Sequence, residues 1–181
     1  MILHSYLTPK ALGILLSTGK LVCKREHIWD DLWEDSYHWM MKQMRKRLGP
    51  EPTEGAYPIW LWYLWEGRHS TPRPYYNDRN IEGGVYRVRF EIPEHLVLLS
   101  NFDTWHSVLN NMYLANSVED LDKDFSREEI EKSWENIFNI DNLSLNRCWG
   151  PNAFSIQATV WELTDSMIRK VEHFPPVARR K

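Results

Sequence analysis

The chain has 181 residues and a formal net charge of −3, and hydrophobic residues make up 43% of it. This composition is ordinary for a globular protein. The charge excludes a broad electrostatic footprint for nucleic acid, and the distant cysteines Cys23 and Cys148 exclude a disulfide scaffold or a cysteine-based zinc site. The length favours one domain over residues 1–181. No signal peptide is evident and the apolar run 59–65 is too short to span a bilayer, so we expect a cytoplasmic protein without membrane contact.

The start of the chain predicts a strand, a short helix and a second strand. Residues 2–7 form the first predicted strand. Thr8 followed by Pro9 is typical of an N-cap and the first helical position, and Gly19 is placed to end that helix. Residues 20–24 follow as a second short strand.

Residues 28–48 have helical periodicity, with apolar side chains recurring every three or four positions. Acidic residues crowd the start and basic residues the end, which is the charge order that the helix dipole favours. The basic residues are Lys42, Arg45, Lys46 and Arg47. They stabilise the helix end or, alternatively, form a local nucleic-acid contact.

The middle of the chain combines strands with a long irregular segment. Residues 58–65 predict a short aromatic strand. Residues 67–84 are rich in proline and glycine without periodicity, which is typical of a functional or mobile loop. Residues 85–92 alternate between apolar and polar and predict the clearest strand, and residues 96–99 predict another.

The second half predicts two helices and two strands. Residues 104–114 have an apolar helical face. Ser126 and Glu129 have the spacing of a capping box for a helix that runs through Phe138. Residues 155–163 and 168–174 predict strands. Strands at both ends with helices between them indicate an α+β domain.

Ten tryptophans are an unusually high number for a chain of this length. Indole rings are mostly buried in proteins, but they also stack on planar rings such as nucleobases and nicotinamide. The excess therefore predicts either an aromatic core or a cleft that binds planar rings.

The densest polar cluster comprises Asp103, Trp105, His106, Asn110 and Asn111. Helical spacing places the carboxylate, the imidazole and the amide within successive turns, where they can orient a substrate or act as a general base. The alternative is a capped helix with a surface histidine. The spacing does not complete a metal site.

A second candidate pair lies in the closing strand. Alternation places Gln157 on one face of that strand and Glu162 on the other, beside Ala158 and Val160. Glu162 is then partly desolvated, as a catalytic carboxylate often is, or it is hydrated at the strand end.

Several segments together resemble an uncharacterised family of small bacterial and phage-associated proteins, over nearly the full length of the chain. The matching stretches are 8–19, 37–40 with 46–49, 57–60, 100–106 with 108–110, 133–138 and 156–163. This resemblance implies family membership without an activity.

The chain also distantly resembles ADP-ribosyltransferases, particularly bacterial toxins that modify nucleic acid. Their opening strand with a histidine or arginine, helix and glycine-ended turn is similar to residues 4–19. Their middle strands are similar to residues 86–99, and their closing strand with the catalytic glutamate is similar to residues 157–163. Thr159 stands where the glutamate of the DNA-modifying members falls, and the middle strand has no Ser-Thr-Ser motif.

This resemblance implies a split β-sheet core with flanking helices, NAD as substrate and transfer of ADP-ribose to RNA or DNA rather than protein. It implies Glu162 and Gln157 as catalytic residues. Asp103, Trp105, His106 and Asn110 remain candidate substrate-orienting residues on their helical spacing alone. The residues implied in NAD binding are His4, Tyr6, Thr8, Arg73 and Arg79.

A toxin or phage-defence role with an antitoxin or chaperone partner would fit such an enzyme. The alternatives are a non-catalytic nucleic-acid- or protein-binding module and a metal-free nuclease that uses His106.

Overall fold

The fold was obtained as a computed structural model, which describes residues 1–27, 31–74, 81–115, 117, 120, 123–141 and 155–176. These residues form an α+β structure with a six-stranded sheet and a two-stranded sheet. The strands are β1 (Ile2–Leu7), β2 (Lys20–Val22), β3 (Ile59–Leu64), β4 (Val85–Glu91), β5 (Leu98–Asn101), β6 (Ile156–Val160), β7 (Glu162–Thr164) and β8 (Ile168–Phe174). The α-helices are α1 (Pro9–Thr18), α2 (Glu34–Leu48), α3 (Phe102–Leu109) and α4 (Arg127–Ser133).

The large sheet has the strand order β5-β6-β3-β1-β4-β8, and every neighbouring pair is antiparallel. The small sheet pairs β2 with β7. Because β1 lies inside the large sheet, its side chains alternate between the two sheet faces with neighbours on both sides. The α+β prediction is confirmed.

One face of the large sheet carries the first hydrophobic core. Leu3 and Leu7 of β1 pack there with Leu12 and Leu15 of α1, and all four side chains are buried. Fully burying a side chain of this size contributes roughly 1.5–3 kcal/mol. This face is therefore closed by packing.

The opposite face is covered over β5, β6 and β3 by a second core. Its buried members include Trp39, Met40, Met44, Trp105, Trp134 and Trp161. Over β1, β4 and β8 the same face instead carries polar side chains that stay half-buried or exposed, among them His4, Arg87 and Arg89. We call this whole face, with its covered and uncovered halves, the site face.

The predicted helix caps are confirmed. The Ala11 N–H donates to Thr8 Oγ1 at 3.1 Å, and Gly19 ends α1 with a φ of 75°. Ser126 and Glu129 form the predicted capping box of α4, with the Ser126 N–H donating to Glu129 Oε2 at 2.8 Å.

Several element boundaries differ from the predictions. The helix predicted from Ser126 through Phe138 ends as α4 at Ser133 and continues as a 3-10 helix over Trp134–Phe138. The helix predicted over 28–48 begins as α2 at Glu34, after a 3-10 turn, and residues 28–30 lie outside the described residues. The helix predicted over 104–114 is α3, which covers Phe102–Leu109. It begins at Phe102 because Asn101 Oδ1 caps it by accepting from the Thr104 N–H at 3.0 Å. The strand predicted over 155–163 divides at Trp161, whose Nε1 donates to Gly49 O at 3.1 Å.

Candidate functional site

The strand register places a polar row across the site face. The row runs Ser100, Gln157, Trp62, His4, Arg89 and Lys170 from one edge of the sheet to the other. Directly paired residues in antiparallel strands share a face and lie about 5 Å apart. Residues almost one hundred and seventy positions apart along the sequence therefore meet on one surface.

A cavity of about 230 Å³ opens over β3 and β6 at this row. We call it the aromatic cleft. Its lining residues are Tyr37, Trp60, Leu61, Trp62, Phe102, Trp105, His106, Leu109 and Gln157. Helices α2 and α3 supply the rings opposite the sheet, so the cleft forms only when both helices pack on β3.

The rings of the cleft fall into two groups of mutual contacts. The centroids of Trp60 and Trp105 lie 4.9 Å apart, and that of Tyr37 lies 6.0 Å from Trp60. In the second group, Trp62 lies 4.8 Å from Phe102. These separations are typical of attractive aromatic pairs, so each group is a preformed wall.

Gln157 supplies the buried polar group of the cleft. Its side chain is 5% exposed, and its Nε2 has no hydrogen-bond partner among the described residues. Ser100 Oγ, one strand away in the same row, also has no partner within the described part of the chain. Buried donors are nearly always satisfied in proteins, so an unsatisfied one calls for an explanation.

A second cavity of about 300 Å³ lies over β1, β4 and β8 on the same face. We call it the basic pocket. It is lined by Tyr6, Arg73, Pro74, Arg87 and Phe174. Two guanidinium groups beside two aromatic rings favour a ligand that carries both anionic groups and a planar ring.

Tyr6 fixes the segment that carries Arg73 against the sheet. Its hydroxyl donates to Pro72 O at 2.9 Å and shares a hydrogen bond of 3.1 Å with Thr71 Oγ1. The Tyr6 ring also meets Phe174 edge-to-face, with centroids 6.0 Å apart. Arg73 is therefore held over the sheet although it lies in an irregular segment.

Glu172 is the acidic group beside the basic pocket. Arg87 donates to its Oε2 at 2.6 and 2.9 Å, and Lys170 donates to its Oε1 at 2.9 Å. The hydrogen bonds from Lys170 and Arg87 hold the pKa of the Glu172 carboxyl below its usual range. Glu172 therefore stays ionised and keeps Arg87 in place.

His4 lies between the two cavities. It is paired with Trp62, which lines the aromatic cleft, and it is two residues from Tyr6, which lines the basic pocket. Burial, followed by the positive charges of Arg87 and Arg89, lowers the pKa of His4. A neutral imidazole at neutral pH can hydrogen-bond to a hydroxyl group without adding charge.

The predicted cluster of polar residues on α3 divides between two environments. Trp105 and His106 line the aromatic cleft. Asp103 instead accepts the N–H of Ser155, and burial raises the pKa of its carboxyl. Asn110 Nδ2 donates to His106 O at 2.7 Å, at the end of the helix.

Gln157 and Glu162, predicted as a catalytic pair, are not brought together. Gln157 lies in the aromatic cleft, whereas Glu162 lies in β7 and accepts from Lys20 Nζ at 2.9 Å. Glu162 lines neither cavity. Thr8, predicted to bind NAD, uses its hydroxyl to cap α1, and Arg79 lies outside the described residues.

Sequence reasoning missed Arg87, Phe174 and Glu172. The alternation in residues 85–92 predicts that Arg87 shares a strand face with Arg89, but it does not reveal which strands flank β4. The pairing of β4 with β8 brings Glu172 and Phe174 to the pocket, and no local pattern encodes that pairing.

The basic end of α2 is largely paired. Arg45 Nη2 lies 2.7 Å from Glu51 Oε1, and Lys46 Nζ lies 3.2 Å from Glu135 Oε1. Arg47 donates to Gln43 Oε1. These contacts fit the helix-stabilising interpretation of the charges.

Over the described part of the chain, no three His, Cys, Asp or Glu side chains lie together as metal ligands would. None of its helices is long and apolar enough to cross a membrane.

Comparison with known proteins gives a family but no activity. No curated protein and no solved structure matches the chain significantly. Residues 2–128 match a family described as a domain of unknown function (DUF3841). That match spans well over half of the sequence and includes every lining residue of the two cavities except Gln157 and Phe174. The chain therefore belongs to this uncharacterised domain family.

Proposed function

We propose that the protein is an NAD-dependent ADP-ribosyltransferase that modifies a macromolecule. One observation carries the proposal: a basic pocket and an aromatic cleft lie side by side on one sheet face, with His4 between them. Such a surface offers one place for a charged dinucleotide donor and another for an acceptor. The distant likeness of the opening strand and helix to ADP-ribosyltransferases supports the same interpretation.

In this proposal NAD binds at the basic pocket. Arg73 pairs with the pyrophosphate through two donors, as guanidinium groups do with phosphate oxygens, and Arg87 adds the donors that Glu172 does not use. His4, whose pKa is lowered, donates to a ribose hydroxyl as a neutral imidazole. The rings of Tyr6 and Phe174 form the wall for a planar ring of NAD.

The reaction also requires a carboxylate, and the geometry favours Glu172 over Glu162. Glu172 lies in the row of Tyr6 and Arg87, and its charge acts on His4. Neither carboxylate lines a cavity itself, but Glu172 is bonded to Arg87 of the basic pocket, whereas Glu162 lies in β7 of the small sheet and is paired with Lys20. We therefore assign to Glu172 the stabilisation of the ribosyl cation.

The chemical step is a substitution at C1′ of the nicotinamide ribose. The bond from C1′ to the nicotinamide nitrogen breaks, and its electron pair leaves with nicotinamide. The nucleophilic atom of the acceptor forms the new bond to C1′ and releases a proton. Positive charge develops on the ribose between these events, so a fixed carboxylate lowers the barrier.

The test uses NAD labelled in its adenylate phosphate with bacterial lysate, before and after nuclease or protease treatment. We expect label in the nuclease-sensitive fraction. Glu172→Gln should lower transfer about a hundred- to thousand-fold, whereas Glu162→Gln, the matched control, should retain it. NAD affinity is measured separately, because Glu172 also positions Arg87.

Two outcomes would contradict this assignment. Loss of transfer in Glu162→Gln with full activity in Glu172→Gln would return the catalytic role to Glu162. Absence of both label transfer and NAD consumption with every acceptor would refute the enzymatic proposal.

A role as a toxin or phage-defence component would fit this activity, since transfer of ADP-ribose to nucleic acid blocks its use as a template. The producing cell would then need an antitoxin or other inhibitory partner. Growth arrest on expression, relieved by Glu172→Gln, would support this role.

The second candidate is a non-catalytic binding module. Leu32 and Trp33, before α2, are 78% and 38% exposed, and exposed large apolar side chains often mark contact surfaces. Under this alternative Glu172→Gln leaves function intact. Lys46→Glu with Arg47→Glu would then abolish nucleic-acid or protein binding.

A further inference from the structure

We propose that the aromatic cleft binds a single unpaired nucleobase of DNA or RNA, and that Gln157 hydrogen-bonds to the edge of that base. The binding site stands on the geometry of the cleft alone. Only its role as the acceptor site rests on the ADP-ribosyltransferase function proposed above.

The two ring walls suit a planar ligand. Trp60 and Trp105 form one wall with centroids 4.9 Å apart, and Trp62 and Phe102 form the other with centroids 4.8 Å apart. All four rings line the same cavity. Aromatic side chains stack on every base, because each base has a π-face.

Gln157 favours a nucleobase over a hydrocarbon ring as the ligand of the cleft. Its Nε2 is buried without a partner among the described residues, and Gln157 lines the cleft. A hydrocarbon ring would leave this donor unsatisfied, which is unfavourable. A base presents carbonyl and ring-nitrogen acceptors at its edge, and a glutamine amide can pair with adenine through both its donor and its acceptor.

The size of the cleft favours a single nucleobase over a larger ligand. Its volume of about 230 Å³ lies below the roughly 300–1,000 Å³ of pockets that hold drug-sized ligands. A base pair or a whole dinucleotide exceeds this space. A paired base would have to leave its duplex to enter, so unpaired strands are favoured.

Exposed polar groups near the cleft can contact the attached phosphates. His106 is exposed and lines the cleft, where its ring nitrogens can hydrogen-bond. Arg89 is exposed on the site face, next to His4 in the row that contains Gln157, and supplies positive charge on the side where a strand backbone would run.

The test is binding of five-nucleotide single strands in the absence of NAD. Fluorescence-labelled dA, dT and dC pentamers are compared with an abasic pentamer of equal charge and with a short duplex. We expect the base-containing single strands to bind and to quench tryptophan fluorescence. The abasic strand and the duplex should bind at least tenfold more weakly.

Variants then locate the site. Trp62→Ala should weaken binding roughly five- to 150-fold, the range for loss of one stacked base. Gln157→Glu keeps the shape of the side chain but removes the donor, so it should change the order of preference among the three bases. Gln43→Leu is the matched control, since Gln43 is equally buried (5% exposed) but lies in α2 outside the cleft.

Equal binding of abasic and base-containing strands would overturn the proposal, as would an unchanged base preference in Gln157→Glu. Competition by nicotinamide mononucleotide for the same quenched tryptophans would assign the cleft to NAD instead. Circular dichroism of each variant establishes that it is folded. Since NAD is absent, failure here is distinguishable from failure of the transferase proposal.

Discussion

His4 links the site to the pH dependence of stability. Its pKa is lowered in the folded protein by burial and by Arg87 and Arg89, whereas an unfolded histidine titrates near 6.5. Between the folded pKa and about 6.5 the unfolded chain binds more protons, so stability rises with pH over this window. His4 therefore destabilises the fold as the pH falls below about 6.5.

We expect His4→Gln to reduce this acid-side loss of stability. Urea unfolding at pH 5, 6, 7 and 8 would measure it, with His95→Gln as control, since His95 lies exposed in the turn before β5. The wild type and the His95 variant should lose stability more steeply below pH 6.5 than the His4 variant. Parallel curves for all three proteins would show that His4 carries no such linkage.

Helix α1 provides a prediction at the scale of the element. Thr8 caps α1 by accepting the Ala11 N–H, so Thr8→Ala should destabilise the protein by about 1 kcal/mol. Thr8→Ser should restore most of that stability. Denaturant unfolding and NAD titration of both variants would separate a cap from an NAD ligand, because a cap leaves the affinity for NAD unchanged.

Local signals predicted elements well and their ends less well. The cap at Thr8, the stop at Gly19 and the capping box at Ser126 act through neighbouring backbone groups, so the sequence displays them directly. The division of the last long strand at Trp161 depends on a hydrogen bond to Gly49, more than a hundred residues away. Such tertiary contacts override the local alternation.

The candidate site was predictable only in part for the same reason. His4 and Tyr6 were identified from the resemblance to ADP-ribosyltransferases and Gln157 from strand alternation, and the structure places all three on the site face. Glu172 was not identified, because its relation to Tyr6 requires the order β1-β4-β8. Pairing between distant strands is the information that one sequence does not display.

The whole sheet depends on residues beyond the family match. Strand β6 lies between β5 and β3, so a chain that ends at residue 128 leaves β3 with an unpaired edge and β5 without a partner strand. Exposed edges of this kind promote aggregation. Such a chain also lacks Gln157 of the aromatic cleft and Phe174 of the basic pocket.

We therefore expect residues 1–128 alone to lack cooperative unfolding and to aggregate. Thermal denaturation followed by circular dichroism, with size-exclusion chromatography, would measure this against the full chain. A monomeric 1–128 fragment with a sharp transition would show that the second half is dispensable for folding.

Strand β1 connects the two cavities, because His4 is paired with Trp62 of the cleft and Tyr6 lines the pocket on the same side of the strand. A ligand in one cavity that displaced this strand would change the other cavity. Thermodynamic linkage makes this effect mutual. If the first ligand changes the affinity for the second by some factor, the second ligand changes the affinity for the first by the same factor. The concentrations of the two substrates would then decide which one binds first. The coupling through β1 would decide how much the first substrate changes the affinity for the second.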